Sequence, residues 1–126
     1  MGMKGELQPD FVIGNMATDL VDLTLQMCRT EEEKTPRFPK RFYSSYVDEI
    51  VKYALDIQRC VCQANSIQMS KYRRIDFQEI AIGDCVCLEK LVLIALNKGW
   101  ISEKQFTKWQ KLICNLHWKI HNWMKA

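Results

Sequence analysis

Apolar side chains recur at three- and four-residue spacing over most of this chain, the period of a helix with one buried face. Leu20, Val21, Leu23 and Met27 follow that spacing and predict a first helix from about Pro9 to Glu32. Val47, Ile50, Tyr53 or Ala54, Ile57, Val61 and Ala64 form the stripe of a second, ending between Asn65 and Met69. Ile75, Ile80, Cys87, Leu88, Leu91, Ala95 and Leu96 mark a third, from about Lys71 to Lys98. Phe106, Trp109, Ile113, Leu116, Ile120 and Trp123 mark a fourth, ending near Met124. Glycine-bounded runs with the two-residue alternation of a strand are absent.

The ends of these helices carry their own signals. Pro36 and Pro39 break the chain between the first two, because proline lacks an amide hydrogen and pushes its predecessor toward extended backbone. Ser44 or Ser45 is placed to cap the second helix, with Asp48 and Glu49 at its positive end. Gly99 is placed to close the third in a left-handed conformation. Ser102 and Gln105 have capping-box spacing, and Ile101 is set to staple against Phe106. The second to fourth helices are each about 23 to 28 residues, roughly 35 to 42 Å long. Short connections make the second, third and fourth antiparallel neighbours. The expected fold is all-α, an up-and-down antiparallel four-helix bundle. It forms a single domain over residues 1–126, with 1–8 as a flexible lead-in.

Composition narrows the compartment. The longest apolar run, Leu91 to Leu96, has six residues, against the roughly 20 a membrane helix needs. The start of the chain lacks the basic-then-apolar layout of a secretion signal. Six cysteines stand among aliphatic residues in helical stretches, as reduced core or boundary residues do. The expectation is a cytoplasmic protein with no membrane partner.

Charge points to a partner class. Residues 1–33 hold two basic residues against seven acidic ones, and residues 34–126 hold sixteen against eight. Such a basic body suits a polyanion or an acidic protein surface. Lys40 and Arg41 stand in the first long connection, beside Lys34 and Arg37. Arg73 and Arg74 stand at the start of the third helix. Lys104, Lys108 and Lys111 follow one face of the fourth, with Lys119 further along. In an up-and-down bundle Lys40, Arg41 and Lys104 fall at one end, and Arg73, Arg74 and Lys119 at the other. Trp118 falls off the fourth helix's inner stripe, where a subunit or partner contact is expected.

Catalytic patterns are missing: no Ser-His-Asp order, phosphate loop or dinucleotide fingerprint appears. His117 and His121, with Cys114 before them, have the spacing of a helical metal site. The HExxH glutamate is absent, and another helix would have to complete the ligand set. Cys60-Val-Cys62 and Cys85-Val-Cys87 are C-x-C pairs, whose members diverge by about 200° on a helix. The expectation is no enzyme activity, no cofactor and no metal.

The order Arg37-Phe38-Pro39-Lys40-Arg41-Phe42, Tyr43-Ser44-Ser45-Tyr46-Val47-Asp48, Ala54-Leu55-Asp56-Ile57, Ala64-Asn65, Leu96 to Gly99, Ile101-Ser102-Glu103-Lys104-Gln105, Trp109, Leu112-Ile113 and Trp123 resembles a known family. It is similar to the accessory variability determinant (Avd) proteins of diversity-generating retroelements. It is also similar to the related four-helix-bundle proteins encoded within ribosomal RNA intervening sequences. The resemblance covers roughly residues 20–126. It implies a homopentameric barrel of four-helix bundles that binds RNA and DNA and associates with the retroelement reverse transcriptase. Such a subunit supports mutagenic complementary-DNA synthesis without performing chemistry. Lys40, Arg41, Arg73, Arg74, Lys104, Lys108, Lys111 and Lys119 are the expected nucleic-acid or reverse-transcriptase contacts. The alternative is a stand-alone bundle of the ribosomal intervening-sequence type with another protein or RNA partner. The chain departs from the family pattern at Asp48 and Glu49, where members often carry a basic residue.

Overall fold

The computed structural model describes residues 11–28, 37–67 and 69–126. They form four α-helices: α1 (Val12–Cys28), α2 (Asp48–Ser66), α3 (Lys71–Asn97) and α4 (Glu103–Lys125). Among the described residues there is no strand, and no helix is long and apolar enough to cross a membrane. The expected lead-in, the start of the first helix at Pro9, its end at Glu32, and Lys34 and Pro36 of the first connection lie outside the described residues.

The helices pack in sequence order around one core, with α4 returning to α1. Cross-helix contacts fix their directions. Phe11 meets Trp123 edge-on at 5.6 Å, and Trp109 Nε1 donates to Thr24 Oγ1 at 3.1 Å, so α1 and α4 run antiparallel. Tyr46 donates to the Leu91 carbonyl at 2.5 Å, and Glu89 of α3 meets Gln110 and Cys114 of α4. The result is an up-and-down bundle, held by burial of apolar stripes rather than by helix propensity.

The buried stripes agree with the sequence pattern in three helices. Leu20, Val21, Leu23 and Met27 of α1 are buried, as are Ile50, Ala54, Ile57, Val61 and Ala64 of α2. Trp109, Ile113, Leu116 and Ile120 of α4 are buried, while Phe106 and Trp123 pack at the core's edge. In α3 the phase differs. Its inner face is Gln78, Ala81, Cys85, Leu88, Val92 and Ala95, an alternating four- and three-residue spacing. Ile80 and Cys87, expected inside, are exposed, and Ile75, Leu91 and Leu96 are half-buried. The reason is that α3 is apolar on both sides, so its periodicity does not choose a face.

The start of α2 also differs from expectation. Pro39 is extended, with φ −61° and ψ 137°, and helical turns begin directly after it, with a 3-10 turn over Lys40–Phe42 and a π-turn over Tyr43–Val47. Ser44 and Ser45 lie within the π-turn, not at a cap, and no side chain caps the helix. The wider turn places the consecutive residues Tyr46 and Val47 both in the interior, as a π-bulge's extra residue permits. Tyr46 then closes an aromatic cluster in which Trp100 meets Phe38, Phe42 and Tyr46 at 5.8, 5.5 and 5.4 Å.

The later helix ends follow local chemistry closely. Ser70 Oγ accepts from the Arg73 amide at 3.3 Å. Gly99 has φ +75°; its amide bonds to the Leu96 carbonyl at 3.0 Å and the Trp100 amide to Ala95 at 2.9 Å, the paired bonds of a Schellman closure. Ser102 and Gln105 form the reciprocal capping box at 2.8 and 3.1 Å.

Candidate functional site

The most distinctive surface runs along α4. Between Lys104 and Lys125 this helix carries five lysines and no acid; Glu103 is its sole carboxylate. At 100° per residue, Lys104, Lys108, Lys111, Trp118 and Lys119 all fall within roughly 100° of arc, opposite the buried Trp109, Ile113, Leu116 and Ile120. Each of the five is exposed. They form one cationic stripe with an aromatic in it, about 22 Å long from Lys104 to Lys119.

At its Lys104 end the stripe opens into a groove of about 310 Å³ between α1 and α4. Arg37, Lys104 and Lys108 line it with Gln26 and Gln105, and among the described residues no carboxylate does. Arg37 Nη1 donates to the Met27 carbonyl at 2.8 Å. The bond ties the first connection to the bundle. Lys40 and Arg41 are exposed nearby. The Arg41 guanidinium lies 4.9 Å from the Phe42 ring centroid, and Phe42 packs on Trp100 just ahead of α4.

Arg73 and Arg74 sit at the opposite end, in the first turn of α3. Arg73 is exposed, whereas Arg74 is half-buried and its Nη1 donates to the Ile67 carbonyl at 3.2 Å. Arg74 therefore braces the connection from α2 to α3. The eight basic residues expected as contacts thus divide into six at the first connection and along α4, and two apart from them.

Trp118, at 58% the most exposed tryptophan, stacks on His117 and meets His121 edge-on, both at 5.4 Å. Cys114 turns away from these histidines. Its thiol donates to Glu89 Oε2 at 3.2 Å, and Gln110 Nε2 donates to the same oxygen at 3.0 Å. Gln110's bond is the leading cause that holds the Glu89 carboxyl below its ordinary range. Cys114, His117 and His121 are therefore not assembled as a ligand set.

The C-x-C pairs do diverge: Cys60 and Cys85 are buried, Cys62 and Cys87 exposed. Burial pushes the Cys85 thiol up to about 12, which makes it a poor nucleophile.

The sequence reading missed a second constellation, at the seam of α2 and α3. Asp56 and Cys60, one turn apart on α2, face Asp84 of α3, with one ligand atom from each within 4.8 Å of the others. Asp56 and Cys60 had i, i+4 spacing as a signal. Nothing local to Asp84 tied it to them.

No protein-family model matches this chain, and no curated protein matches it.

Proposed function

We propose that this protein is a non-catalytic accessory subunit that holds RNA and DNA along α4 and associates with a retroelement reverse transcriptase. The single observation that carries the polyanion half of this reading is the stripe of Lys104, Lys108, Lys111 and Lys119 on α4, a helix whose sole carboxylate is Glu103. Spaced cations of this kind neutralise phosphates and position a backbone without reading sequence. Trp118 supplies a flat apolar face on which a base or a partner side chain stacks. The reverse transcriptase, as partner, comes from the family resemblance.

The same reading includes assembly into a homopentamer. Its support is the outer face of α3, where Ile80, Cys87 and Ile94 recur every seven residues with Val86 and Leu93 alongside, all exposed. Apolar rows exposed on a surface helix, here on either side of Gly83 and Lys90, mark an interaction site, and other copies of this chain are its proposed occupant.

The test is charge reversal at Lys104, Lys108 and Lys111 together, which lie on the solvent face and leave the core intact. The triple glutamate variant is expected to keep its helicity and mass, to lose at least tenfold in affinity for a short single-stranded RNA, and to copurify less reverse transcriptase. Unchanged RNA affinity would remove α4 from the role. Retained RNA binding by the wild-type chain without any reverse-transcriptase association would favour the stand-alone intervening-sequence type instead.

A further inference from the structure

We infer that Asp56, Cys60 and Asp84 form a divalent-metal site at the α2–α3 seam, with zinc as the fitting ion and water from the adjoining groove as its fourth ligand. The inference stands independently of the polyanion reading.

The geometry is close to that of a bound ion. Zinc holds sulfur at about 2.3 Å and carboxylate oxygen at about 2.1 Å, so tetrahedral ligand atoms lie about 3.6 Å apart. Cys60 Sγ lies 4.0 Å from Asp56 Oδ2, and all three ligand atoms fall within 4.8 Å of one another. Closure shortens the longest of these separations by no more than about 1.2 Å. Two ligands come from consecutive turns of one helix and the third from its packed neighbour, the way bundles build metal sites.

The donors behave as an incomplete set. Cys60 is fully buried, and its thiol makes a long contact to Asp56. Asp84 Oδ2 is buried with no hydrogen-bond partner, a state that is costly for a carboxylate. Burial, then its bond with Asp56, raises the Asp84 carboxyl to about 7. The shared bond with Asp84 is in turn the main cause that lowers Asp56. A cation among the three groups would satisfy the orphaned oxygen and replace the proton.

The surroundings complete the design. Arg59 Nε donates to Asp56 Oδ1 at 3.1 Å, a bond that fixes the carboxylate and leaves Oδ2 toward Cys60. Such orienting partners are the usual second layer of metal sites. Two carboxylates and a thiolate carry three negative charges; zinc and the Arg59 guanidinium offset them. A groove of about 520 Å³, bordered by Asp56, Arg59, Asp84 and Tyr53, gives an ion and a water access from solvent.

Binding is a proton exchange. The Cys60 thiol, held up to about 11 mainly by burial, gives its proton to solvent as the metal–sulfur bond forms. The carboxylate pair gives up its shared proton.

The experiment uses the full chain, reduced and stripped with a chelator, in a Cys62→Ser, Cys87→Ser background that removes the exposed thiols. Titration with Co²⁺ is expected to give one ion per chain, with a near-ultraviolet thiolate-to-cobalt charge-transfer band that Zn²⁺ bleaches. Cys60→Ala should abolish the band, and Asp84→Asn should weaken Co²⁺ binding at least tenfold while preserving helicity. Absence of the band, or its survival in Cys60→Ala, would overturn the site. Should Cys60→Ala not fold, Asp56→Asn and Asp84→Asn decide the matter. Unchanged Co²⁺ affinity in both, or a zinc-induced rise in Tm that persists in both, would overturn it equally.

Discussion

Helices α3 and α4 are neighbours of similar length, yet they divide their surfaces in opposite ways. Helix α4 is sharply two-sided, with Trp109, Ile113, Leu116 and Ile120 inward and lysines outward. Helix α3 is apolar on both sides: Ala81, Cys85, Leu88, Val92 and Ala95 face the core, and Ile80, Val86, Leu93 and Ile94 face out. One helix spends its outer face on charge, the other sets exposed apolar residues among Glu79, Lys90 and Asn97. The lesson is that folding accounts for one face of each helix, and the proposed partners, a nucleic acid on α4 and further copies of the chain on α3, fall on the other.

The largest expected effects separate inner from outer positions. Leu116→Ala, which empties a fully buried position, should cost about 2–5 kcal/mol in urea unfolding. Ile94→Ala on the outer face of α3, at 40% exposure, should change the stability of the dissociated chain by no more than about 0.5 kcal/mol while weakening self-association. Comparable losses in both would break the comparison.

Buried polar groups sharpen it next. In α4 the Trp109 indole N–H is satisfied by Thr24, so Thr24→Val should cost about 1–3 kcal/mol by orphaning that donor. In α3 the Gln78 amide is buried with neither end bonded. Gln78→Leu should therefore stabilise the chain by about 1 kcal/mol, reversing the usual sign of a core substitution.

A smaller effect lies at Gly83, on the outer face of α3, where an added Cβ would meet nothing within 4 Å. Gly83→Ala should stabilise the helix by about 0.5–1 kcal/mol. A loss of assembly with that gain would place Gly83 in the subunit contact.

The smallest is a pH dependence at the seam, measured with chelator present. The Asp84 carboxyl titrates near 7 in the folded chain, above the value of about 3.9 for an unfolded aspartate. The stability it contributes is complete below the unfolded value and is lost as pH rises through about 7. Asp84→Asn mimics the protonated form, so its Tm should exceed the wild type's at pH 8 and approach it at pH 4. Arg59, which also faces Asp56, stays charged throughout this range.

How far the sequence announced this structure varied by element. The start of α4 was legible because Ser102 and Gln105 act within one turn, and the end of α3 because only glycine takes Gly99's φ of +75° readily. The inner stripes of α1, α2 and α4 were legible because polar residues on their other faces break the symmetry. The inner face of α3 was not, since its two apolar faces offer equal periodicities and only packing against α2 and α4 decides between them. The π-turn at Tyr43–Val47 was hidden because it answers to the packing of Phe42 and Tyr46 on Trp100, which is distant in sequence. The lysines of α4 could be placed on one face by spacing alone. The Arg37 groove and the Asp56–Cys60–Asp84 seam needed the tertiary fold.

The central claim, that α4 holds a nucleic-acid backbone electrostatically, is tested most directly by salt. Affinity for a short single-stranded RNA should fall linearly in log–log form with a slope of about −0.7 per phosphate contact, hence about −2 or steeper if three or more lysines engage. The Lys104→Glu, Lys108→Glu, Lys111→Glu variant should flatten that slope. An affinity that is indifferent to salt, or a slope the variant leaves unchanged, would contradict the account.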